Sequence, residues 1–137
     1  MTAKAMTIWC CGCNADVSAR LTDGREIYRR RPDLHGLPFW RCDKCRNYVG
    51  CHHKTASRTA PLGCIPTLAI KAARQQIHAA TDPLWKSGRM TRRQVYDDIA
   101  KRLGIPEYHT AEIRDVATAR AVLGHVAEMA AALEVKP

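Results

Sequence analysis

Apolar and polar positions along this chain follow two different periods, and the change falls between residues 57 and 66. In the first part Val17, Ala19 and Leu21 alternate with Ser18 and Arg20, the pattern of a half-buried strand. Asp23-Gly24 then reads as a hairpin turn, with Glu26-Ile27-Tyr28 starting a return strand. Leu37 to Arg41 reads as a third strand, and Tyr48 to Pro61 as polar and irregular, with Ser57–Gly63 a link. Beyond it the period becomes helical. Pro66 suits a first helical turn, and Leu68, Ile70, Ala73, Ile77 and Ala80 share one broad face. Asp82-Pro83 reads as the N-cap and first residue of a separate short helix through Trp85, its core anchor, stopping at Gly88. Thr91 and Gln94 have capping-box spacing, Val95, Tyr96, Ile99, Ala100 and Leu103 follow on one face, and Gly104 ends that helix. Asp115 caps a last helix with a seam of Val116, Ala119, Leu123, Val126, Ala130 and Leu133. The pattern predicts an α+β fold: a three-stranded ribbon over residues 1–56, then a helical region of three or four helices over residues 57–137.

The ribbon half has few large apolar side chains and too little core to stand without a staple. Its cysteines supply one. Cys10 and Cys13 are separated by two residues, as are Cys42 and Cys45. Each spacing lets a tight turn present two thiolates on one side, and two such turns complete a tetrahedral four-sulfur Zn²⁺ site. The turn requires φ > 0 just after the second cysteine, where Asn14 stands, and asparagine tolerates that conformation. Four sulfurs leave no open coordination position, so the ion is structural. The 28-residue spacer between the pairs exceeds the roughly 15–20 of the simplest pattern. An arginine-rich loop accounts for the excess.

Seven cysteines is an odd number, unlike a secreted disulfide framework, and leaves Cys11, Cys51 and Cys64 as thiols suited to a reducing compartment. Cys51, His52, His53 and Cys64 form a candidate accessory metal site. His52 also reads as a hydrogen-bonding link between ribbon and linker, and His78 as a packed helix histidine. No apolar run approaches membrane-spanning length and no signal-peptide core opens the chain, so a soluble, cytoplasmic protein without a membrane partner is expected.

Charge narrows the partners. The chain holds 22 Lys+Arg against 13 Asp+Glu, a formal +9. Residues 1–60 carry 11 basic and 5 acidic side chains, so the excess is concentrated in the ribbon half. Polyanions are the natural partners of such a surface. Arg29, Arg30 and Arg31, with Arg41, Lys44 and Arg46 near the second pair, are the candidate phosphate contacts, because arginine forks match phosphate oxygens. Trp9, Phe39, Trp40 and Tyr48 flank the knuckles and either stack bases or fill the ribbon core.

Several stretches carry a resemblance: the two cysteine pairs, Val49-Gly50-Cys51-His52, Thr55, Pro61-Leu62-Gly63, Arg74, Ile77-His78-Ala79, Asp82-Pro83-Leu84-Trp85-Lys86-Ser87-Gly88-Arg89-Met90, and Tyr96 through Leu103-Gly104-Ile105. Over residues 8–125 the chain resembles a zinc-finger-containing domain family of unknown function found in phage and prophage genomes. The resemblance implies this architecture and a phage origin, with the host cytoplasm as location. It supplies no activity. Arg46 stands where the family usually has glycine, and Cys64 where it usually has threonine.

The expected function is a non-enzymatic, zinc-stabilised nucleic-acid-binding protein. The alternatives are a protein-interaction module that inhibits or redirects a host enzyme, with a homodimer through the last helix, and a metal-dependent nuclease using His52. No carboxylate constellation is patterned for the nuclease.

Overall fold

The structure, a computed structural model, describes residues 4–134. It divides into two compact units, one through Leu68 and one from Ala69.

The first unit is a four-stranded antiparallel sheet in the order β1-β2-β3-β4: Ala5–Cys10, Ala15–Asp23, Pro38–Arg41 and Tyr48–Gly50. The expected ribbon had three strands. β1 and β4 are additional to the expected strands, and the return strand lies elsewhere. Thr7 and Trp9 alternate with Ile8 and Cys10, but the run is short and half exposed. β4 is three residues long, below the length at which alternation shows. Glu26-Ile27-Tyr28 is not a strand. Asp23 accepts the Arg25 N–H at 2.9 Å and caps a helical turn, α1 (Gly24–Ile27). The partner of β2 is β3, with Leu21 opposite Trp40 and Thr22 opposite Phe39.

The pleat divides the sheet cleanly. Ile8, Cys10, Val17, Ala19, Leu21, Trp40 and Val49 face one core. Trp9, Asp16, Ser18, Arg20, Phe39, Arg41 and Tyr48 alternate with them. The core is closed by residues 51–65, the stretch read as irregular and linking. Cys51 bridges Pro61, and Cys10 bridges Ile65. The Ile65 N–H donates to the Trp9 carbonyl at 2.8 Å, and the Trp40 indole N–H to the Thr59 carbonyl at 2.6 Å. Ile65 is fully buried, worth about 1.5–3 kcal/mol of transfer free energy. The segment is therefore the roof of the ribbon core.

The second unit packs α2 (Leu68–Lys86), α3 (Arg92–Leu103) and α4 (Val116–Glu134) around Ile77, Leu84, Val95, Ile99, Val122 and Val126. Thr91 and Gln94 form the expected capping box, Gly104 ends α3 at φ 71°, and Asp115 accepts the Thr118 N–H at 2.7 Å. The expected break at Asp82-Pro83 does not occur, because Pro83 lies in the last turn of one continuous helix. A proline there removes a single amide donor. Leu84, in register with Ile77 and Thr81, holds the turn to the core. Leu84 is the core anchor that Trp85 was expected to be. Trp85 is half-buried, with the Arg92 guanidinium 5.3 Å above its ring. Leu68 and His78 are exposed, contrary to the expected face and packed histidine. Arg74 is buried instead, donating to the Ile113 carbonyl at 2.7 Å.

The α4 seam runs through Ala119, Val122, Val126 and Met129 rather than starting at Val116, which is 36% exposed. The window Val116–Leu133 is long and apolar enough to cross a membrane, with mean hydropathy 1.2, which corrects the reading that no such run exists. Its buried residues belong to the helical core.

Candidate metal centre

Two turns at one end of the sheet build the site. Cys10 ends β1 and Cys13 lies in the turn into β2, while Cys42 follows β3 and Cys45 lies in the turn into β4. The residue after the second cysteine is left-handed in both turns: Asn14 at φ 53° and Arg46 at φ 67°. The first was legible from the asparagine. At the second, arginine itself gives no such signal, and only the glycine usual there in the resembling family pointed to it. Gly12 lets the turns meet. A Cβ there would stand 2.7 Å from Asn47 Nδ2 and 3.2 Å from Cys45 Sγ.

The four sulfurs converge. Cys10 and Cys45 Sγ are 3.3 Å apart, Cys13 and Cys42 3.7 Å, and all four lie within 4.8 Å of one another. Zn–S bonds of about 2.3 Å imply tetrahedron edges of about 3.8 Å, so the donor set fits one structural Zn²⁺. The surroundings favour thiolates unequally. Burial pushes the Cys10 thiol up. The shared hydrogen bond with Cys42 raises Cys13. Burial also raises Cys42, but the Cys45 and Lys44 amide N–H groups outweigh it and bring that thiol to about 7. The Cys42 sulfur thus ionises readily, whereas Cys10 and Cys13 require a cation beside them. Asn47 Nδ2 donates to Cys45 Sγ at 3.3 Å, an outer contact the sequence reading missed.

The six basic residues singled out from sequence divide into two kinds. Arg31 is bound through two nitrogens to Asp33, at 3.0 and 2.8 Å. Arg41 pairs with Glu26, which also accepts from Arg20 at 3.0 Å, and Arg20 reaches Asp43 at 2.9 Å. Hydrogen bonds from Arg20 and then Thr22 hold the Glu26 carboxyl at about 2, despite its partial burial. Arg29, Arg30, Lys44 and Arg46 are exposed, and no ion pair engages them among the described residues. The loop bearing Arg29 and Arg30 is fixed by its backbone. His35 Nε2 donates to the Tyr28 and Arg29 carbonyls at 3.2 and 3.0 Å, and Arg58 to the Gly36 carbonyl at 2.7 Å.

The flanking aromatics also divide. Trp40 belongs to the core, and Trp9 is half-buried. Phe39 is buried under Tyr28 and Tyr48, whose hydroxyls meet at 2.8 Å and whose rings stand edge to face.

The expected accessory cluster is not assembled. Among the described residues, only Cys10, Cys13, Cys42 and Cys45 bring three or more ligand atoms together. Cys51 is in the sheet core, His52 is exposed, and His53 Nδ1 faces the Cys51 carbonyl at 3.3 Å. The ribbon-to-roof link expected of the His52 side chain is made by its backbone N–H, which donates to Ala60 at 2.9 Å.

Arg46 carries a stability test. A left-handed non-glycine residue is disfavoured by about 1–2 kcal/mol, partly offset by the unfolded-chain freedom glycine adds. Arg46→Gly should therefore raise the stability of the zinc-loaded protein by about 0.5–1 kcal/mol in urea denaturation. A loss of stability would mean that the side chain packs in a way not seen here.

Comparison with curated proteins found no match, and comparison with solved structures found none. Residues 6–127 match the sequence profile of a zinc-finger-containing domain, a stretch that includes all four sulfurs. With two such knuckles closing on one Zn²⁺ and the match running through most of its length, the chain belongs to the zinc-finger-containing domain family.

Proposed function

We propose that the zinc-bearing unit binds nucleic acid through phosphate contacts largely indifferent to sequence. The observation that carries this reading is the division among its cations. Arg20, Arg25, Arg31 and Arg41 are engaged by carboxylates, whereas Arg29, Arg30, Lys44 and Arg46, on the arginine loop and the second knuckle, are exposed and meet no carboxylate among the described residues. Arg46 holds its charge on a backbone conformation that glycine would adopt at lower cost, the kind of local strain that attends function. The Tyr28–Tyr48 contact ties the start of the arginine loop to the strand after the second knuckle through two half-exposed rings. Bases of a single strand stack on such rings.

Filter binding with single- and double-stranded DNA and RNA across a salt series tests the reading. Four phosphate contacts predict a slope of log K against log salt near −3, so affinity falls about 50- to 150-fold between 50 and 200 mM. Replacing Arg29, Arg30, Lys44 and Arg46 together by Ala should remove most of that slope with zinc retained. An unchanged slope removes these residues from the interface. No binding at low salt, with capture of a defined protein, would favour a protein-interaction module instead.

A further inference from the structure

Two thiols outside the zinc cluster face each other. Cys11 lies half-buried in the first knuckle, and Cys64 is 3% exposed in the roof segment. Their sulfurs are 3.9 Å apart. The backbone fixes this approach. The Cys11 N–H donates to the Ile65 carbonyl at 2.9 Å, the Ile65 N–H donates to the Trp9 carbonyl at 2.8 Å, and Cys10 bridges Ile65 in parallel. A disulfide requires sulfurs about 2.05 Å apart, and the remaining approach of about 2 Å is within the range of side-chain rotation.

We propose that Cys11 and Cys64 form a dithiol that low-molecular-weight disulfides, such as oxidised glutathione, convert to a protein disulfide, tying the roof to the knuckle and sparing the zinc sulfurs. The asymmetry of exposure sets the order. The more accessible Cys11 sulfur attacks one sulfur of oxidised glutathione. The glutathione S–S bond breaks, and one glutathione leaves with the proton that Cys11 gives up. Cys64 then attacks the Cys11 sulfur of the mixed disulfide, and the second glutathione leaves with the Cys64 proton. Two protein thiols are oxidised, and one glutathione disulfide is reduced to two thiols. The four ligand sulfurs are bound to the cation and are poorer nucleophiles. Cys51 is an internal control: it is buried in the sheet core, with no second thiol beside it among the described residues.

The zinc-loaded full chain is treated with oxidised glutathione, alkylated under denaturing conditions and digested without reduction for mass spectrometry. The expected result is one zinc per chain, measured on the oxidised protein before denaturation, followed by a Cys11–Cys64 linked peptide lighter by two hydrogens and fully alkylated Cys51. Cys64→Ser should stop at a stable glutathione adduct on Cys11, and Cys51→Ser should link as the unaltered chain does. Three results overturn the proposal: a persistent adduct on Cys11 with Cys64 present, linkage among Cys10, Cys13, Cys42 and Cys45 with zinc release, or Cys11 and Cys64 both alkylated under conditions that modify Cys64→Ser.

Discussion

In Cys42→Ser, zinc content and amide-exchange protection over residues 5–65 are lost together, while the helices from residue 69 onward keep their protection. Cys42 is 1% exposed, and the amide N–H groups of Cys45 and Lys44 bring its thiol to about 7. A hydroxyl in its place is a poor zinc ligand, and three sulfurs do not close a structural site. Structural zinc contributes about 10–16 kcal/mol in small zinc modules, comparable with or above the whole stability of a typical domain. The large apolar side chains of this core are few, chiefly Ile8, Val17, Trp40, Val49 and Ile65, and they cannot supply that sum alone. Cys51→Ser is the control. It places a hydroxyl in the same core, at a cost of about 1–3 kcal/mol, and leaves the metal bound. A metal-free Cys42→Ser chain with β2 and β3 still protected would show that packing, not the ion, holds the sheet.

Gly24→Ala should destabilise the first unit by about 3 kcal/mol, read as a lower urea midpoint with zinc present. A Cβ at Gly24 would lie 1.8 Å from the Leu34 carbonyl oxygen and 2.5 Å from its carbon. These are backbone atoms of the turn Pro32–Leu34, so no side-chain rotation relieves the clash. The Gly24 N–H also donates to the Leu37 carbonyl at 3.0 Å, which seats the loop on α1. The extra methyl must lift the segment that carries Arg29 and Arg30, so phosphate affinity should fall with stability. A stability within about 0.5 kcal/mol of that of the unaltered chain would mean that the loop does not approach Gly24 this closely.

The metal site was legible because its chemistry is local in sequence: two spaced cysteine pairs and an asparagine where the turn goes left-handed. The helix caps were legible for the same reason, since a capping box spans only four residues. Strand count was not. Alternation needs length to stand out, and β4 is too short for it. Asp23-Gly24 suggested a hairpin because that pair serves several turn types. What decides for α1 is the Leu34 carbonyl lying against Gly24, a contact ten residues away. The roof was the largest omission. Residues 52–59 are mostly polar, and the place of the roof over the sheet depends on scattered contacts, such as those at Thr59, Leu62 and Ile65, that no periodicity announces. Which arginines are spent on carboxylates was equally hidden, because Glu26 and Asp43 join Arg20 and Arg41 through the strand register.

The roof follows the sheet in the chain, which sets an order of events at the ribosome. Cys45 is synthesised twenty residues before Ile65, so the nascent ribbon holds all its ligands while its apolar face is still bare. At about 5–20 residues per second that interval lasts roughly 1–4 s. A chain released before zinc binds is expected to leave Trp40 and Val49 uncovered, open to chaperones and to other copies of the chain.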